Sequence, residues 1–201
     1  APMLAVDLFK RPVFALSSLT AICAFSAQGL AFVSLPFLLQ AVLGHSQVET
    51  GFLMTPWPAV VAVMALVAGR LADRVSLGLL CGIGLLMLSV GMAALATLHN
   101  DASAFEIGWR MALCGAGFGF FQSPNLKALM TSAPLARSGG ASGIVAISRL
   151  LGQTLGASLV ALCFHWSLGS GPHYALWLGC AFALVGSVAS GLRLLPYDKK
   201  V

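Results

Sequence analysis

Three groups of residues in this 201-residue chain have types and spacings suited to chemistry. The first is Arg149, an arginine inside a long apolar window that opens at Gly140. At about 1.5 Å per helical residue it lies roughly 14 Å into a bilayer. A charge at that depth costs about 2.5 to 3.5 kcal/mol unless it meets water or a partner, so Arg149 is a functional candidate by default. Snorkelling to one side, from a helix that begins deeper, is the alternative. The second group runs from Arg110 to Asn125, where Arg110, Cys114, Phe118, Phe121 and Asn125 recur at helical spacing and share one face, with Gln122 beside them. Aromatic faces attract an organic cation by about 0.5 to 2 kcal/mol each, and amides adapt to several ligands, so this stripe suits a cavity wall, with ordinary helix packing as the alternative for each residue. The third is Gly69-Arg70-Leu71-Ala72-Asp73-Arg74, a tight basic loop that holds one carboxylate between two arginines.

The elements that position these residues follow from composition. Hydrophobic residues make up 59% of the chain and charged residues 8%, with a mean hydropathy of +0.94. Ordinary soluble domains carry about 25% charged residues, so the solvent is a bilayer. Apolar windows of membrane-spanning length run approximately over 13–43, 51–69, 77–98, 107–130, 140–165 and 173–194. They do not alternate as barrel strands do, so the fold class is all-α with six transmembrane helices. Residues 1–12 read as a leading loop and 195–201 as a tail. Lys10, Arg11, Arg70, Arg74, Lys127, Arg137, Arg193, Lys199 and Lys200 all fall on one face of this topology, and the opposite connections hold His45, His99, His165 and Glu49. Basic loops stay in the cytoplasm, which places both termini there. The formal charge of +5 is mostly this signal, so nucleic acid is not an expected partner.

The loop at Gly69–Arg74 resembles the signature loop between the second and third helices of each half of major facilitator superfamily transporters. The continuation Val75-Ser76-Leu77-Gly78 departs from the usual basic one, which is common in the second-half copy. The resemblance extends over essentially the whole chain, including Asp7–Lys10, Leu53–Asp73 with Thr55-Pro56-Trp57-Pro58, and Ser138–Ala157. It looks like the branch of 14-span drug:proton antiporters, similar to exporters of quaternary ammonium compounds and methyl viologen. It implies a carboxy-terminal half built as a nested three-plus-three inverted repeat, echoed by Phe32-x-x-x-Pro36 and Phe120-x-x-x-Pro124. The first and fourth helices of each half line the cavity in that family. By carry-over the substrate-binding candidates are Gln28, Phe32, Arg110, Phe118, Phe121, Gln122 and Asn125. Gly69, Arg70, Asp73 and Arg74 become a gating loop, and Gly152 and Gly156 a helix-packing seam that Gly139 and Gly143 repeat. Implied partners are a small-molecule substrate, a proton, the lipid bilayer and a missing amino-terminal half, in a bacterial inner membrane.

Other readings of the residues stay open at this stage. Arg110 is either a displaced relative of the family's fourth-helix arginine or an ion-pair partner of Glu106 one turn earlier. Asp73 is either a gate or solvated between its neighbours. Lipophilic cations are the expected cargo, with amphipathic anions favoured if Arg110 and Arg149 both face the cavity unpaired. A membrane enzyme is the other class, on Gly140-Ala141-Ser142-Gly143, but Ser142 and the histidines at His165 and His173 fall at opposite ends of their spans. No Cys/His spacing suits a metal, no Walker A sequence appears, and no cofactor is implied. No Asp or Glu falls in the middle of a span, so the coupling carboxylates are expected outside this chain.

Overall fold

The computed structural model describes residues 6–167 and 169–194. Residues 1–5 of the leading loop and the tail at 195–201, with Lys199 and Lys200, lie outside the described residues. Helix α1 runs Pro12–Phe37 and continues through a π-helical turn, Leu38–Val42. The second rod is broken, with α2 over Gln47–Met54 and α3 over Pro56–Leu71. Then follow α4 (Leu77–Ala96), α5 (Ala104–Ser132), α6 (Ser138–Trp166) and α7 (Gly171–Leu192). The fold is all-α, with six rods and no strand among the described residues. Five rods are long and apolar enough to cross a membrane, and α5 carries Arg110, Gln122, Asn125 and Lys127 instead.

Local sequence explains the boundaries. Pro12 and Pro56 sit in first turns, where the missing N–H costs nothing. Ser46 and Glu49 cap α2 reciprocally, as Ser103 and Glu106 cap α5. Gly44, at φ 74°, makes the left-handed exit from the π-helical turn that other residues resist. Within α1, the hydroxyls of Ser17, Thr20 and Ser34 donate to carbonyls one turn earlier, which keeps them satisfied in an apolar bundle.

Packing repeats itself across the chain. Helix α1 packs on α6 and α7, while α5 packs on α3 and α4, and α4 meets α7. These relationships interchange when the first three rods are exchanged for the last three, the pattern a three-plus-three repeat produces. Glycines permit the close approaches. A Cβ on Gly152 or Gly156 would lie 2.7 Å from Ile22 O or 2.5 Å from Ser26 O of α1, and one on Gly119 would lie 2.7 Å from Val61 O of α3. Gly139 and Gly143 differ from the expected seam, since nothing lies within 4 Å of a Cβ at either. They sit on the exposed face of the first turns of α6, beside the face on which Ala141 and Ile144 are buried with Phe14 of α1.

The leading segment is not a loose loop. Val6–Lys10 forms a 3₁₀ turn, and Leu8 is buried with Phe14, Leu129, Ala141 and Ile144. Arg137 Nη2 donates to Asp7 Oδ1 at 2.9 Å, and Arg11 Nη1 donates to Ser132 O at 2.8 Å. At this basic end of the bundle the segment is therefore tied to α5 and α6.

Candidate functional site

Helices α3 and α6 are the least buried rods, and between them the faces of α1 and α5 lie open. Two hollows of about 310 and 200 Å³ occupy this face. They share Phe25, Gln122 and Arg149 and so form one concavity. Gln28, Phe32 and Phe118 line the smaller hollow with Trp57, and Phe121 and Asn125 line the larger. The aromatic wall is ordered edge to face, with Phe25, Phe118 and Phe121 forming a triangle of centroids 5.5 to 6.4 Å apart. Phe32 stands against Trp57 at 5.2 Å. Phe118 and Phe121 are buried and back this wall, whereas Phe32 is exposed.

Arg149 lies eleven residues past Ser138, so about 16 Å along the 29-residue α6, far from either end. It is exposed to the concavity, and its guanidinium sits 5.7 Å from the Phe25 ring centroid. It makes no ion pair among the described residues. Gln153 Nε2 and Gln28 Oε1 lie 3.5 Å apart across the neighbouring α1–α6 seam.

Two members of the predicted stripe are engaged elsewhere. Arg110 lines neither hollow; its Nη1 donates to Ala94 O of α4 at 3.0 Å, it stands 3.8 Å from Glu106, and it stacks over Trp109. Cys114 is buried against Gly91 of α4. The close α4–α5 approach turns this part of the stripe away from the concavity. Asn125 lines the larger hollow, but its amide is occupied: Nδ2 donates to Ser17 O at 3.1 Å and Oδ1 accepts from Arg193 at 3.0 Å.

Arg193 is the residue that sequence reasoning missed. It reads as one more basic flank after the sixth span, yet it donates to Ser17 Oγ, Thr20 Oγ1, Asn125 Oδ1 and Ser190 Oγ, and Ser190 donates onward to Gly78 O. One guanidinium thus fastens α1, α5 and α7, and through Ser190 it reaches α4. The hydroxyls at Ser17, Thr20 and Ser190 are the signal, but only tertiary packing brings them together.

At the same end, Gly69 and Arg70 close α3, and Asp73 and Arg74 lie in the turn that follows. Asp73 does not pair with either neighbouring arginine. Lys127 of α5 reaches across, with Nζ 2.6 Å from Asp73 Oδ1 and 3.1 Å from Ala72 O. The hydrogen bond from Lys127, and then its charge, hold the Asp73 carboxyl below the ordinary carboxylate range.

Six rods in a repeated packing, five of them long and apolar enough to cross a membrane, open on an aromatic concavity, an arrangement suited to a lobe of a membrane transporter. The sequence profile of the Major Facilitator Superfamily matches residues 1–157, and the chain belongs to that superfamily. Among curated proteins it is 50% identical over 193 residues to the "Uncharacterized transporter YebQ" of Escherichia coli strain K12, spanning 96% of this chain and 42% of that protein. It is 32% identical over 161 residues to the "Multidrug resistance protein Stp" of Mycobacterium tuberculosis, spanning 79% and 29%. It is 22% identical over 210 residues to the "Riboflavin transporter RibZ" of Clostridioides difficile, spanning 98% and 46%. The chain spans less than half the length of these relatives. It is a multi-pass membrane protein of a transporter superfamily, not a member of an enzyme family.

Proposed function

We propose that this chain is the carboxy-terminal lobe of a proton-coupled multidrug exporter that moves amphipathic aromatic compounds by alternating access. The observation that carries the reading is the concavity between α1, α3, α5 and α6, where Phe32, backed by the buried rings of Phe25 and Trp57, offers aromatic surface and Gln28 and Gln122 offer adaptable amides. Lipophilic and quaternary ammonium cations are the cargo carried over from the resemblance to 14-span drug:proton antiporters. The relative named as a multidrug resistance protein supports export of drugs as a class. The basic end faces the cytoplasm of a bacterial inner membrane, with both ends of this segment on that side. An amino-terminal lobe completes the cavity and supplies the proton-carrying carboxylates. The loop at Gly69–Arg74 acts as a gate, held by Asp73 and Lys127 on one side of the cycle.

Ethidium efflux from cells that express the chain with the rest of its natural coding sequence tests the proposal. The expected result is energy-dependent efflux that a protonophore abolishes. With folded protein present in the membrane, efflux that survives the protonophore overturns proton coupling, and no efflux overturns ethidium as a cargo.

A further inference from the structure

We infer that Arg149 is the docking point for an anionic group of the cargo, so that the concavity prefers an aromatic compound bearing a carboxylate or sulfonate over a ring-matched cation. The inference rests on reading the concavity as the transport site, and it ranks aromatic anions ahead of the cations carried over from the resemblance to drug:proton antiporters.

Three observations converge. The first is placement: Arg149 sits far from both ends of α6 and borders both hollows, so a charge expensive to hold in a membrane is held where a ligand would pass. The second is the absence of a counter-ion among the described residues: Asp7, Glu49, Asp73, Asp101 and Glu106 all lie outside both hollows. The contact Arg149 does make is with the Phe25 face, which leaves its forked N–H donors unspent. The third is the company it keeps: Gln122 adds an amide beside it, and Phe25, Phe32 and Trp57 flank it with rings. An oxyanion on an aromatic body satisfies both kinds of surface at once. A planar carboxylate, or two oxygens of a tetrahedral sulfonate, can accept two guanidinium hydrogen bonds while the ring packs on the wall. A cation placed there meets like charge instead.

The test uses the full-length transporter carrying this chain, reconstituted in lipid nanodiscs, and two probes with one ring system: 2-naphthalenesulfonate and 2-naphthyltrimethylammonium. Affinities are measured by calorimetry for wild type, Arg149→Lys and Arg149→Gln, with thermal unfolding as the folding control. Arg149→Gln should weaken sulfonate binding at least tenfold and leave the ammonium probe unchanged or tighter, and Arg149→Lys should fall between. Sulfonate affinity within twofold of wild type in a folded Arg149→Gln protein overturns the inference. Ammonium binding without sulfonate binding in wild type also overturns it, while the transport-site reading stands. If neither probe binds wild type, the inference and the transport-site reading fall together.

Discussion

Lys127 Nζ lies 2.6 Å from Asp73 Oδ1, fifty-four residues away in sequence, and ties the loop after α3 to the flank of α5. The carboxylate therefore reports the distance between two rods rather than the charge of its own loop. Both groups are substantially exposed, so the pair contributes little to stability by itself. Its value lies in geometry that changes if α3 and α5 separate.

Asp73→Asn should slow efflux several-fold without unfolding the protein, and a swap of Asp73→Lys with Lys127→Asp should restore part of the rate. Efflux rates with a thermal-unfolding control check this. The pH dependence follows from a lowered carboxyl. The pair's contribution is present above the ordinary value of 3.8 and disappears only as pH falls through a lower one. Tryptic cleavage at Arg70 and Arg74, normalised at each pH to cleavage of an unstructured peptide of the same sequence, should accordingly stay constant from about pH 8 to about pH 5 in wild type. A rise in cleavage within that range would assign the loop's restraint to another group.

Arg193→Ala should destabilise the bundle by about 2 to 4 kcal/mol, because it strands Asn125 Oδ1 and hydroxyls on α1 and α7 that now share one guanidinium. Arg193→Lys should recover only part, since a single ammonium cannot reach in as many directions as the fork. Thermal unfolding in detergent, with Lys10→Ala as an exposed basic control, gives the comparison.

Gly156→Ala should cost about 1 to 3 kcal/mol, because its Cβ would lie 2.5 Å from Ser26 O, a backbone atom that moves only if α1 moves. Gly143→Ala meets open space and should be neutral or slightly stabilising. Chemical denaturation of the two variants under one condition distinguishes a true seam from a run of small residues.

The contrast at those glycines shows what was legible in the sequence. Apolar windows longer than a bilayer and a one-sided distribution of arginines need no tertiary information, so the all-α fold and its six rods could be read directly. Seams at Gly152 and Gly156 look the same in sequence as Gly139 and Gly143, and only the line along which α6 meets α1 separates them. Helix α2 begins at Gln47, ahead of the apolar window, and the Ser46–Glu49 box that starts it was present in the sequence as Ser-x-x-Glu. At the site, Gln28, Phe32, Phe118, Phe121 and Gln122 were reached through periodicity and resemblance. Arg110 shares their helical face, but α5 is pressed so closely on α4 that its far half faces another rod. Arg193 was hidden because, Ser190 apart, its partners lie on α1 and α5 at separations no local pattern spans.

The central claim is that the concavity between α1, α3, α5 and α6 is the path of the cargo, and site-directed labelling addresses it most directly. Cysteine is introduced at Gln122, inside the concavity, or at Leu86, exposed on α4 away from it, in the full-length transporter. Four of this chain's five cysteines are buried and the fifth is partly so, which keeps its share of the background low. A water-soluble maleimide should label Gln122→Cys, an excess of transported cargo should slow that labelling at least fivefold, and Leu86→Cys should be indifferent to cargo. Labelling of Gln122→Cys that is absent, or that proceeds at the same rate with and without cargo, would contradict the claim.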